Sequence, residues 1–139
     1  MDELIQQLPG VIYEFTIRQD GQKAFTFVSA NCQEMLGINA EDLLGNSVLL
    51  DDAILSEDRE NFEASSMGNY NQQAVWSWEG RIQIKNEIRW IEARSNYTKH
   101  GDTVVRKGII LDITDRKLRE REAEILNRRN ETMLTQLFN

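Results

Sequence analysis

The chain has 139 residues, one cysteine, one histidine and a formal charge of −7 at neutral pH, a length that suits one buried core. The charge is uneven: residues through Asp112 carry 10 basic and 18 acidic side chains, whereas the stretch from Asp115 onward carries 6 and 5. So acidic a body repels phosphate backbones and excludes nucleic acid as an expected partner. A single cysteine excludes an internal disulfide, and the lack of a charged-then-apolar leader or a long apolar run argues against export or membrane insertion by this segment, so the expected location is cytoplasmic.

In chain order, residues 2–8, DELIQQL, read as a short cap helix ended by the Pro9-Gly10 breaker. Val11, Tyr13, Phe15 and Ile17 alternate with Ile12, Glu14 and Thr16, and Asp20-Gly21 separates them from Phe25, Phe27 and Val28, which is a hairpin pattern. Ser29 is positioned to cap a helix containing NCQEML, closed by Gly37; Asn39 caps a second short helix with Gly45 beyond its end. Ser56, followed by Glu57 and Asp58, starts a third helix expected to reach about Tyr70, its acidic groups at the positive end of the dipole. Strands are expected at roughly 75–84, 88–99 and 103–113, joined by KNE and HGD turns. The stretch from Asp115 to Phe138 has no Gly or Pro and predicts one long helix.

That order of elements predicts an α+β fold with an antiparallel sheet. Three segments carry a family resemblance. FVSANCQEMLGINAEDLLGNS resembles the opening of a Per-Arnt-Sim (PAS) domain, ILSEDRENF resembles its Ile-His-Pro-Asp-Asp-Arg segment with Leu55 and Ser56 replacing His and Pro, and IRWIEARSNYTKHGDTVVRKGIILDITDRK is similar to its closing half with the Asp-Ile-Thr exit. The resemblance implies a five-stranded sheet in the order 2-1-5-4-3 with short connecting helices. It divides the chain into a cap helix (1–9), a PAS core (10–114) and a C-terminal signalling helix (115–139).

Chemistry-bearing residues are few. In light-sensing flavoprotein members of the family the reactive Asn-Cys pair sits on the helix matching residues 56–73, and haem-binding members place their ligand there; that stretch has neither cysteine nor histidine. Cys32 therefore reads as a small hydrophobe in a helix whose Met35 and Leu36 face the core. His100 lies in a turn, with no Gly-rich phosphate loop or metal-spaced cluster elsewhere, so neither catalysis nor a metal is expected. Flavin and haem are not expected, no cofactor is assigned, and an unidentified small molecule stays open.

The strand faces raise two further expectations. Trp76, Trp78, Ile82 and Ile84 share one face of their strand, opposite Ser77, Glu79, Arg81 and Gln83, and Trp90 opposes Ile91, Ala93, Ser95 and Tyr97. By resemblance the Trp90 side is the outer face of the sheet, joined by Ile109 and Leu111; with Trp76 and Trp78 counted there too, it needs a cover, either the 2–8 helix alone or that helix together with a dimer partner. The inner face is expected to hold Phe62, Met67, Tyr70, Ile91, Ala93, Ser95 and Ile110, with Glu79 or Arg81 as an inward polar handle. These side chains either line a ligand cavity or simply fill the core, and the missing flavin and haem signatures favour filling.

Ala123, Leu126, Asn130, Met133 and Leu137 are spaced 3-4-3-4, a coiled-coil seam with Asn130 at a central a position that favours a parallel homodimer; the alternative is a solvated charged helix, since Leu118 and Ile125 fall off the seam. Asp112, Thr114 and Asp115 form the joint between last strand and helix, where Thr114 or Asp115 can cap the new helix and fix its exit angle. The expected function is a sensory and dimerisation module that relays a core or interface change through this joint to a C-terminal effector, by resemblance a histidine kinase or cyclic-dinucleotide enzyme. The alternative is a ligand-free protein-interaction module. A seam that continues to Gln136-Leu137-Phe138-Asn139 is expected to belong to a longer protein.

Overall fold

The computed structural model describes residues 10–66 and 75–138. The expected helix at 2–8, and Met67 and Tyr70 with the end of the third helix, lie outside these residues. Strands β1 (Gly10–Ile17) and β2 (Lys23–Val28) form the expected hairpin, followed by helices α1 (Cys32–Leu36), α2 (Ala40–Gly45), α3 (Val48–Ala53) and α4 (Ser56–Ser66); β3 (Trp76–Ile84), β4 (Glu87–His100) and β5 (Thr103–Asp112) lead into α5 (Thr114–Phe138). The strands form one antiparallel sheet in the order β2-β1-β5-β4-β3.

Local chemistry explains most boundaries. The hairpin turns where Gly21 takes φ 88°, its amide donating to the Arg18 carbonyl at 3.0 Å, while the Asp20 carboxylate accepts from Gln22 N–H. Gly37 closes α1 at φ 71°, as the left-handed end of a helix requires. Asn39 caps α2 by accepting from the Glu41 amide at 2.7 Å. Ser29 does not cap α1: its hydroxyl accepts from Ile12 N–H at 2.9 Å and donates to the Asn31 side chain, whose own amide donates to the Gly10 carbonyl at 2.7 Å. The side chains expected at a helix end thus stitch that end to β1. Helix α3 was not legible in the sequence, because its single buried residue, Leu50, leaves almost no periodic signal.

Cross-strand register decides the faces. Trp76 pairs with Ser95, Trp78 with Ala93 and Gly80 with Ile91, while Glu79 pairs with Glu92 and Arg81 with Trp90. Directly opposed residues share a face, so Trp76 and Trp78 belong to the inner face, under the helices, and not beside Trp90. For the same reason Glu79 and Arg81 lie on the outer face and are not inward handles. Both expectations are corrected by this pairing. Ile109 and Leu111 do share the Trp90 face, opposite Arg94 and Glu92.

The core lies between the inner face and α1–α4. Val11, Tyr13, Phe25, Val28, Cys32, Leu36, Leu43, Leu50, Ile54, Trp78, Ile82, Ile91, Ala93 and Ile110 are buried together. Phe62 on α4 meets Trp78 edge-on at 4.8 Å between ring centroids and Trp76 at 6.1 Å, and the Trp78 indole N–H donates to Asn61 at 3.1 Å. Edge strand β3 is covered rather than bare: Ile54 bridges Ile82, Leu55 N–H donates to the Arg81 carbonyl at 3.0 Å, and Asp58 accepts from the Arg81 amide at 2.9 Å.

Candidate ligand cavity and output junction

Between the sheet and the helices lies a cavity of about 340 Å³, lined by Tyr13, Phe15, Ile17, Lys23, Phe25, Ser47, Leu50, Asp51, Phe62, Glu63, Trp76, Ala93, Arg106 and Ile110. The volume is at the small end of the roughly 300–1,000 Å³ typical of small-molecule sites. Of the expected lining residues, Phe62, Ala93 and Ile110 border it, while Ile91 and Ser95 are buried on the same face outside its wall. Lys23, Ser47, Asp51, Glu63 and Arg106 are its polar lining, and Arg106 comes from the sheet. Arg106 is 5% exposed and its guanidinium lies over the Trp76 ring at 5.0 Å. The sequence carried the signal for it: Arg106 has the same strand parity as Ile110, an inner-face expectation. Nearby, burial pushes the Tyr13 phenol above its ordinary range, partly offset by the Ser95 hydroxyl and the Arg106 charge. On the helical wall burial raises the Asp51 carboxyl, and the neighbouring charge of Glu63 raises it further.

The output junction is built where β5 ends. The Asp112 carboxylate accepts from Thr114 N–H at 3.0 Å and from the Thr114 hydroxyl at 2.6 Å with one oxygen, and from Arg89 at 3.1 Å with the other. The Thr114 hydroxyl accepts in turn from Trp90 N–H at 2.9 Å, and Ile113 N–H donates to the Trp90 carbonyl at 2.9 Å. The first intrahelical bond runs from Lys117 N–H to the Ile113 carbonyl. The expected Thr114 cap is therefore corrected: Thr114 is the first helical residue, and its hydroxyl ties the helix root sideways to β4. Asp115 is exposed in the first turn, where its charge faces the positive helix end.

The next turn of α5 is held against the outer face by charge. Lys117 and Arg116 each reach Glu79 at 2.7 Å; Arg116 also lies 3.6 Å from Glu92, a carboxylate whose other oxygen is 3.0 Å from Arg94. The hydrogen bond from Lys117 holds the Glu79 carboxyl below its ordinary range and raises the Lys117 ammonium. Lys117 and Arg81 also lie over the Trp90 ring, at 5.1 and 5.6 Å. Arg81 is anchored by Asp58 at 2.7 Å, which lowers the Asp58 carboxyl. From Leu118 to Leu137 the helix is exposed, Leu126, Asn130 and Met133 included.

Cys32 is fully buried, its thiol 3.2 Å from the Ile38 carbonyl, and burial raises its pKa. His100 ends β4 on the surface, 3.2 Å from the Thr98 hydroxyl. Among the described residues no three His, Cys, Asp or Glu side chains are grouped to hold a metal ion, and no helix is long and apolar enough to cross a membrane.

A five-stranded antiparallel sheet in this order, with short helices across one face and a helix leaving the last strand, defines an α+β class of domain. A family model described as the PAS fold matches residues 25–110, and the chain belongs to that family. No curated protein sequence matches it. Among solved structures, it is similar to a domain of a putative light and redox sensing histidine kinase from Haloarcula marismortui (TM-score 0.63, 21% identity, covering 81% of this chain and 96% of that one). It is also similar to the N-terminal domain of a diguanylate cyclase with PAS/PAC sensor from Marinobacter aquaeolei (0.58, 16%, 77% and 98%) and to the PAS domain of BvgS from Bordetella pertussis (0.56, 17%, 92% and 94%).

Proposed function

We propose that this PAS domain senses occupancy of its cavity and passes the change through Asp112 and Thr114 to α5, which dimerises in parallel through Leu126, Asn130 and Met133 and drives a C-terminal effector in the cytoplasm. One observation carries the reading: a single strand, β5, contributes Arg106 and Ile110 to the cavity and ends at Asp112, whose carboxylate holds the root of the output helix. A shift of β5 by a few tenths of an ångström alters bonds at that root, because hydrogen bonds weaken steeply as distance and angle depart from their optimum. The coupling free energy available is the difference in ligand affinity between the two positions of the root. Histidine kinases and diguanylate cyclases are the effector classes that the similar structures suggest. The half-buried Ile109 and Leu111 on the outer face supply further dimer contact.

The test is effector output of the full-length protein with Asp112→Ala and Thr114→Ala. Output altered beyond what each variant's loss of thermal stability accounts for supports the relay. Output that merely tracks stability, with a core that copurifies with no small molecule, favours the ligand-free interaction module instead.

A further inference from the structure

We infer that the cavity takes an uncharged bicyclic aromatic molecule, held between the aromatic side chains of the sheet and Phe62 of α4. The inference rests on reading the cavity as the sensing site. Tyr13, Phe15, Phe25 and Trp76 form the sheet side of the space and Phe62 the helix side. Their rings already meet edge to face: Phe15 and Phe25 at 4.9 Å between centroids, Tyr13 and Phe25 at 5.9 Å, Phe62 and Trp76 at 6.1 Å. A flat guest extends that arrangement and gains the attraction of ring edge for ring face in addition to burial of its area. An apolar cavity of about 150 Å³ holds one benzene ring, so about 340 Å³ accommodates two fused rings.

The charges on the walls disfavour an ionic guest. Lys23 and Arg106 on the sheet are matched by Asp51 and Glu63 on the helices, so the formal charges of the lining sum to zero. These groups are already engaged with the protein: Lys23 and Glu63 act on Asp51 in opposite senses, and Arg106 lies over Trp76 and acts on Tyr13. A sphere of the cavity's volume is only about 9 Å across, within a Debye length of about 10 Å. A guest of either sign therefore meets like charge on one wall whatever it gains on the other, and it loses its hydration as well. An uncharged guest avoids both costs.

Calorimetric titration of the full chain at neutral pH tests this with indole and naphthol, with naphthoate and naphthylmethylammonium as the anionic and cationic twins and decahydronaphthol as the saturated one, all substituted at the same ring position. The expected result is that indole or naphthol binds, that both ionic twins bind at least about tenfold more weakly than naphthol, and that the saturated twin binds at least about twofold more weakly. The double variant Asp51→Asn, Glu63→Gln, which leaves Lys23 and Arg106 in place, is expected to admit naphthoate, a gain that misfolding cannot produce. No binding by indole or naphthol, an ionic or saturated twin that binds as tightly as naphthol, or a double variant that gains nothing for naphthoate overturns the inference. Ala93→Leu in the full-length protein, or Ala93→Val where the larger side chain lowers Tm, fills the cavity wall and separates the two readings. If it changes effector output while no uncharged aromatic binds the wild type, cavity sensing stands and the ligand class fails; if it leaves output unchanged, cavity sensing itself fails.

Discussion

Thr114→Val keeps the shape and β-branching of the side chain but removes the hydroxyl through which the first helical residue reaches β4. In the wild type that hydroxyl accepts from Trp90 N–H at 2.9 Å and donates to Asp112 at 2.6 Å. The variant leaves the half-buried Trp90 amide without its acceptor, at about 1–3 kcal/mol, and deletes a hydrogen bond to an ionised group, worth about 1.5–3 kcal/mol. The two do not add fully, because Asp112 keeps the Thr114 amide and Arg89, and the joint is partly wet. A net loss of about 2 kcal/mol is expected. Urea denaturation measures the loss, and amide hydrogen exchange locates it: protection falls at Trp90 and the first turn of α5 before it falls in β1. Thr114→Ser restores the oxygen and most of the stability. A loss below about 0.5 kcal/mol, or unchanged protection at Trp90, refutes the claim that this hydroxyl holds the root.

Three further outcomes follow from the same contacts. Gly108→Ala sets a Cβ onto the Arg94 carbonyl oxygen in the neighbouring strand, and Gly80→Ala sets one onto the buried Trp78 ring that Phe62 and Asn61 hold, so a loss of about 2 kcal/mol or more is expected for each in denaturant melts. Asp58 has its folded pKa depressed by Arg81, so its stabilisation is present above the ordinary carboxylate pKa of about 4 and is lost as pH falls through the folded value; Asp58→Asn lowers Tm at pH 7, and the gap to wild type closes in acid. Asn130→Leu at the centre of the exposed seam strengthens self-association in sedimentation equilibrium while loosening register in disulfide-crosslink mapping, and a monomer at high concentration with α5 intact removes the seam from the mechanism.

The hairpin, the Gly37 helix end, the Asn39 cap and the long final helix were legible because each rests on chemistry within a few residues: left-handed backbone at glycine, side-chain oxygens against free amides, and a run without breakers. Cys32 in a buried helix position was legible for the same reason. The joint at Asp112 and Thr114 was placed correctly along the chain, but its bonding was not, because the partners that replace a local cap, Arg89 and Trp90, lie on another strand.

By itself the sequence determined the five strands, the described helices other than α3, their order and, through family resemblance, the sheet topology; strand alternation also separated each strand into its two sets of side chains. Which set faces the helices was decided only by tertiary pairing. Trp78 opposite Ala93 and Arg81 opposite Trp90 turn the two indoles of β3 inward, and turn Glu79 outward to grip the output helix and Arg81 outward beside Trp90. The reason is geometric: a period of two fixes parity within one strand, and a one-residue slip against the neighbour exchanges every inward side chain for an outward one.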